Sequence, residues 1–203
     1  RMNRVVETEQ LPDRRGSGAF KWDLAAPEEL PLWVADMDFP VAPAITDALT
    51  RRLRHPIFGY SSVPKGYPEA FIAWQERRNG RRFDRDNLVV VPSVMQALAV
   101  VVDTFTRPGD TIGVFSPVYF PFYDTVEEQG RTVLRFPLSI QSSSEGPRYV
   151  FDFDALRQRI GEVSMLLLCS PHNPGGRVWT AAELDELRRI ARDAGVRVVS
   201  DEI

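Results

Sequence analysis

Lysine is nearly missing from this 203-residue chain. Lys21 and Lys65 stand against 23 arginines, so any chemistry that needs a lysine has two candidates within it. Cysteine is rarer still. Cys169 is alone, which excludes an intrachain disulfide, and His55 and His172 are the only histidines, too few partners for a zinc site built by this chain. A lone cysteine leads us to expect a cytoplasmic setting. No apolar run approaches the roughly 20 residues of a membrane span, and the opening stretch RMNRVVETEQLPDRRGSG is polar, without the apolar core of a secretion signal. Charge of one sign is not in excess either: a net charge of −3 gives no field to hold nucleic acid or anionic lipid. We therefore expect neither a nucleic-acid nor a membrane partner.

What is present belongs to a folded protein. Hydrophobic residues at 43% and charged residues at 26% argue against a disordered or fibrous chain. Residues 1–32 hold prolines and glycines with little periodicity and read as an irregular arm. Ile45, Ala48, Leu49 and Leu53 follow helical spacing, and YPEAFIAWQERRNG (67–80) predicts a helix with Pro68 in its first turn and Gly80 at its stop. From residue 87 strands and helices alternate. The pattern predicts strands at 87–91, 111–117, 131–138, 164–171 and 196–200. It predicts helices at 94–106, 120–130, 151–160 and 180–195, the last opened by a Thr180/Glu183 capping box. QSSSEGP (141–147) reads as a polar loop. This alternation points to an α/β fold with a mostly parallel sheet, in which ligands bind beyond the carboxyl ends of the strands.

The residues that follow each strand are therefore candidates for a common site. Ser93, Val94 and Met95 open a helix whose free N–H groups form either a phosphate cradle or an ordinary cap. Tyr119 follows the strand at 111–117 and either stacks on a planar ligand or starts the next helix, while Phe120 and Phe122 are expected in the core. Ser170-Pro171-His172-Asn173-Pro174-Gly175-Gly176 is a constrained loop, either a plain turn or a rigid holder for the Asn173 amide. His172, with no metal partner in view, reads as structural or as a support behind the site. Asp201 ends a strand as a carboxylate that needs a cationic partner, or as a helix cap. The chain has no GxxxxGK[ST] loop, no HExxH and no CxxC.

SPHNPGG (170–176) followed by VVSDEI (198–203), with Asn173 and Asp201 28 positions apart, resembles fold-type I pyridoxal-phosphate enzymes of the aminotransferase class I/II superfamily. LPLWVADMDFP (30–40), IFGYSSVPKGY (57–67) and SPVYFPF (116–122) resemble, more narrowly, the MalY/PatB-type cystathionine β-lyases, the carbon–sulfur lyases. The resemblance implies a PLP-dependent transferase-like fold of the aspartate aminotransferase type. That is a three-layer α/β/α large domain with a mostly parallel sheet, incomplete at its C-terminal side. Residues 1–44 would be the N-terminal arm and part of the small domain, and 45–203 the N-terminal portion of the large domain.

It also implies pyridoxal 5'-phosphate as cofactor and an amino-acid substrate. Asp201 would pair with the cofactor's ring nitrogen, Asn173 would bond its phenolic oxygen, Tyr119 would stack on its ring, and Val94 and Met95 would hold its phosphate. Tyr60 would reach the neighbouring subunit's cofactor in a homodimer with shared sites. Trp33, Ala35, Asp36 and Met37 would line the substrate side. The Schiff-base lysine matches neither Lys21 nor Lys65 and is expected beyond Ile203. The implied reaction is α,β-elimination from L-cystathionine or related cysteine S-conjugates to a thiol, pyruvate and ammonia. A class I/II aminotransferase is the alternative, as is a non-catalytic regulatory or interaction protein should the chain end at Ile203.

Overall fold

The computed structural model describes residues 11–144 and 146–203. Their contacts divide the chain into two compact units, Arg1–Pro64 and Lys65–Ile203.

Polar contacts, more than an apolar core, organise the first unit. Its short helix α1 (Phe20–Asp23) is a single turn. The Asp23 carboxylate accepts the N–H groups of Gly16 and Gly18 at 2.6 and 2.8 Å. Arg15 donates to the carbonyls of Ala25, Pro27 and Glu29, so one guanidinium pins a stretch with no regular structure of its own. Helix α2 (Pro43–Leu53) opens on a proline whose fixed φ suits a first turn and closes on Arg51 and Arg52, which oppose the helix dipole.

In the second unit, α3 (Tyr67–Asn79) runs between Gly66 and Gly80, both left-handed at φ 89° and 65°. The expected strand at 87–91 is not formed. Arg85–Asn87 makes a 3-10 turn, Leu88 leaves it extended, and residues 88–91 have no strand partner among the described residues. Valine-rich composition favours pleated backbone, but a strand exists only where a neighbour takes its hydrogen bonds. Val89 is left exposed, and an apolar groove of about 300 Å³ lies between this segment and α3, lined by Tyr67, Phe71, Leu88, Val90 and Val94 among others.

Four parallel strands follow: β1 (Thr111–Ser116), β2 (Thr132–Pro137), β5 (Met165–Cys169) and β6 (Arg197–Asp201), in spatial order β2-β1-β5-β6. The expected polar loop at 141–147 loses only Gln141, which pairs in an antiparallel ladder of β3 (Ser139–Gln141) with β4 (Arg148–Val150); the other described residues of the stretch are in neither helix nor strand. Strand pleating sends alternate residues to opposite faces. Ile112, Val114, Met165, Leu167 and Cys169 pack on one face with Leu98 and Val102 of α4 (Val94–Phe105) and Phe122 and Val126 of α5 (Pro121–Glu127). Phe115, Leu166 and Leu168 pack on the other face with Leu156 of α6 (Phe153–Arg159) and Leu187, Ile190 and Ala191 of α7 (Ala181–Asp193). The unit is thus a three-layer α/β/α sandwich. Gly113 faces the second core, where a Cβ would stand 2.5 Å from Leu166 Cδ2 and 2.8 Å from Phe136 Cε2.

The expected capping box is present, and α6 has a cap of its own. Thr180 and Glu183 form the full capping box, and Asp152 accepts the Ala155 N–H at 2.9 Å. One packing expectation is corrected: Phe122 is fully buried, but Phe120 is 66% exposed. Helix α5 begins at Pro121, so Phe120 occupies its N-cap, outside the apolar face of the helix.

Candidate functional site

The strand order fixes where a site can form. From β1 the chain crosses through α5 to β2 on one side, and from β5 through α7 to β6 on the other. The loops leaving β1 and β5 therefore part from each other, and a crevice opens between their carboxyl ends, the ligand-binding place of open α/β sheets. Tyr119 lies in the first of these loops and Asn173 in the second. Helix α4 returns into β1 through a tight turn, with Gly109 N–H donating to Gly130 O, so its N-terminus lies toward the same carboxyl edge. Asp201 ends β6, the strand beside β5.

Each side chain has a local reason for its position. Tyr119 is 38% exposed, its ring resting on Phe120 and the buried Phe122 at centroid distances of 5.6 and 6.5 Å. One ring face is supported and ring surface remains for a planar ligand. At α4, the Ser93 side chain accepts the Gln96 N–H at 3.1 Å and its carbonyl accepts Ala97 N–H at 3.1 Å. The N–H groups of Val94 and Met95 take no part in this cap and stay available to an anion. The half-buried Asp201 carboxylate accepts only the Ile203 N–H, at 3.1 Å, among the described residues, and faces no cation there.

The loop after β5 is closed from within. Cys169 Sγ donates to Pro171 O at 3.2 Å and accepts the Asn173 N–H at 3.4 Å. Burial pushes the thiol pKa up, and the charge of Asp201 adds to this, so Cys169 stays protonated and able to donate. Trp179 Nε1–H donates to Cys169 O at 2.9 Å. Arg177 bonds Tyr149 O and Glu183, anchoring the far end of the loop. The Asn173 side chain makes no hydrogen bond among the described residues, although the backbone that carries it is fixed. A ligand with an acceptor oxygen would find a held, unspent amide.

In the first unit, Trp33, Ala35, Asp36 and Met37 lie on one segment outside any helix or strand, with a bend at Trp33. Trp33 packs edge-on against Phe20 at 5.4 Å, and Asp36 bonds Arg14 at 2.7 Å. The sequence reading missed what holds this segment. Asp38 accepts from Arg14 at 2.7 Å, from Lys21 at 2.9 Å and from Trp22 Nε1 at 2.7 Å, and Lys21 also bonds Asp36 O. The Trp22 hydrogen bond, with those of Lys21 and Arg14, holds the Asp38 carboxyl at about 2, against an ordinary 3.8. The signal was a lysine in an arginine-rich chain: Lys21 is 5% exposed and wholly engaged, so it is no free nucleophile. Tyr60 projects fully into solvent from this unit. Among the described residues no cluster of His, Cys, Asp and Glu could hold a metal ion, and no helix is long and apolar enough to cross a membrane.

The chain as a whole is similar to known proteins in sequence and in fold. The chain is 39% identical over 198 residues to cystathionine beta-lyase PatB of Bacillus subtilis, covering 94% of this chain and 50% of that protein. It is 34% identical to Protein MalY of Escherichia coli, covering 98% of this chain and 52% of MalY. The structure of cystalysin from Treponema denticola, which contains pyridoxal 5'-phosphate, superposes with a TM-score of 0.88 at 30% identity over 98% of this chain and 52% of that one. The chain spans about half the length of the curated relatives it matches. Residues 28–203 match the family described as aminotransferase class I and II. With the doubly wound sheet, the Asn173 loop and the Asp201 strand end all in place, the chain belongs to that family.

Proposed function

We propose that this chain is the N-terminal portion of a pyridoxal-phosphate-dependent carbon–sulfur β-lyase, with residues 45–203 contributing to its large domain and 1–44 to its arm and small domain. The observation that carries the reading is the convergence of the Tyr119 ring, the unspent Asn173 amide, the Asp201 carboxylate and the free Val94 and Met95 N–H groups on one edge of the sheet. That donor set fits the group: a flat ring to stack on, an acceptor for a ring N–H, a donor for a phenolic oxygen, and amides for a phosphate. Pyridoxal phosphate, when bound, supplies an electron sink that stabilises negative charge at the substrate Cα.

The residues of this chain bind and orient. Asp201 would hold a proton on the pyridine nitrogen, and that cation would supply the partner its carboxylate lacks. Asn173 would donate to the phenolic oxygen. Tyr119 would cover one ring face, and the first two amides of α4 would take the phosphate at the positive end of the helix dipole. Trp33, Ala35, Asp36 and Met37 would line the substrate side. Tyr60, extended away from its own unit, would reach the phosphate site of a second copy in a homodimer. The substrate is L-cystathionine or a related cysteine S-conjugate, cleaved to a thiol, pyruvate and ammonia, and we place the protein in the cytoplasm.

The test is pyruvate release from L-cystathionine by the protein supplied with pyridoxal phosphate and no 2-oxo acid. Pyruvate in proportion to free thiol supports the lyase. Turnover that strictly requires a 2-oxo acid identifies an aminotransferase, whose cofactor contacts would be the same.

A further inference from the structure

His172 has no part in the cofactor reading, yet it is among the most buried polar residues, 3% exposed. Three of its groups close one loop. Its N–H donates to Arg177 O at 2.7 Å, its carbonyl accepts the Gly176 N–H at 2.7 Å, and its Nδ1 accepts the Gly175 N–H at 3.1 Å. An accepting Nδ1 assigns the ring proton to Nε2. The imidazole packs edge-on against Trp179 at 5.4 Å and beside Tyr149 at 6.1 Å. Gly175 is shaped to this ring: a Cβ there would stand 2.4 Å from Nδ1 and 2.8 Å from Tyr149 Cδ2.

Closing a turn does not need so large a side chain. Serine accepts an amide through one hydroxyl without burying a further polar nitrogen. Here Nε2 is buried with no hydrogen-bond partner among the described residues, a costly arrangement for a residue serving only its own loop. Trp179, which the ring packs against, stacks on Phe151 at 3.9 Å, and Phe151 meets Phe115 at 4.7 Å, so the imidazole is backed through two rings onto the end of β1. Burial keeps it neutral and able to accept. Phe115 belongs to the end of β1, before the loop that leads to Tyr119. The imidazole therefore stands between the two segments that part at the crevice.

We propose that His172 is a positioning residue for this site, its ring set between residues 115–117 and the 173–177 loop so that it fixes how Tyr119 and Asn173 are presented to one ligand. This rests on the functional reading above. His172 touches no part of the cofactor and acts through the two loops.

The experiment uses the protein purified with pyridoxal phosphate, and two variants. His172→Phe keeps a buried ring and loses the Nδ1 acceptor. His172→Asn keeps an acceptor near the Nδ1 position and loses the ring. Two quantities are read: amide hydrogen exchange in segments 113–119 and 169–178, and the dissociation constant of pyridoxal phosphate. We expect His172→Phe to speed exchange in 169–178 and to weaken cofactor binding about fivefold, the effect of one hydrogen bond of ordinary strength. We expect His172→Asn to recover protection in 169–178 but to leave 113–119 exchanging faster, with binding still weaker than wild type. Wild-type affinity in both variants would overturn the proposal and reduce His172 to a turn-closing residue. A wild-type protein that binds no pyridoxal phosphate would overturn the functional reading and this role with it, an outcome distinct from a bound cofactor that ignores His172.

Discussion

Cys169 and Asp201 are register partners at the ends of β5 and β6, and the Ser170 N–H donates to the Asp201 carbonyl at 2.9 Å. Because Cys169 Sγ also receives the Asn173 N–H, the strand pairing ties the Asn173 loop to the Asp201 strand end through one residue. The 28-position separation of Asn173 and Asp201 is thus the length of one loop, one helix and one strand. The loop leaves the sheet, α7 runs back along it, and β6 returns to the same edge. The crossover brings both ends to one register line, which is where the proposed site needs its two polar groups.

Gly175 is the first place to test that loop. It needs no positive φ, so the objection to a side chain there is purely steric. Gly175→Ala forces a Cβ against the His172 ring and Tyr149, and we expect a loss of about 1–3 kcal/mol, the usual cost of overpacking. Gly161→Ala is the control, since a Cβ there meets nothing within 4 Å. It should stay within about 0.5 kcal/mol of wild type. Urea unfolding of both variants checks this, and equal stability of the two would show that the loop yields to the added methyl.

Gly113 makes the same argument inside the sheet. β1 is paired on both sides, so its backbone cannot move outward to admit a methyl. Gly113→Ala must displace Leu166 and Phe136 within the core beside α6 and α7, and a destabilisation of about 1–3 kcal/mol is expected. A thermal melt that matches wild type would show that core to be looser than its contacts imply.

The sheet and the crevice were legible in the sequence because they rest on local signals. MLLLC and TIGVFS are short apolar runs bounded by turns, and they became strands buried on both faces. Thr180 and Glu183 announced α7 by a spacing that only a helix start uses. What was misread depends on partners that no local window contains. LVVV at 88–91 has strand composition, but strand pairing is a property of two segments. Ser139–Gln141 pairs with Arg148–Val150, but its three side chains are exposed and only Ile140 is apolar, too short a pattern to signal a strand. Lys21 was read as part of a loose arm because nothing local reveals that Asp38, 17 residues on, will neutralise it. His172 stayed open between a structural residue and a support behind the site, because no local window shows that its ring packs on Trp179 and accepts the Gly175 N–H.

The Asp38 cluster predicts a pH dependence. Its carboxyl is held at about 2 against an ordinary 3.8, so the folded protein binds its proton less readily than the unfolded chain does. The stabilisation is then fully present above the unfolded value and is lost as pH falls from there through about 2. Comparison of wild type with Asp38→Asn by urea unfolding at a series of pH values should show a gap that is constant from about pH 5 to 7 and narrows below about pH 4. A gap independent of pH would mean that the amide loses shape or hydrogen bonds at this site, rather than charge.

Asp201→Asn separates the site from the fold. The asparagine Oδ1 can still accept the Ile203 N–H that Asp201 accepts at 3.1 Å, and the register of β6 on β5 depends on backbone groups alone. Stability should therefore change by less than about 0.5 kcal/mol. Cofactor binding should respond differently. An amide cannot neutralise a protonated pyridine nitrogen, and removing one side of a buried charge pair costs about 2–5 kcal/mol. Affinity for pyridoxal phosphate should then fall by roughly 30-fold or more, since about 2 kcal/mol already corresponds to that factor. Thermal melting and cofactor titration on the same preparation check both halves. Unchanged affinity with unchanged stability would remove Asp201 from the site and leave it as the last residue of an edge strand. Loss of both together would mean that its carboxylate holds the strand end, a role the hydrogen bonds of β6 do not require of it.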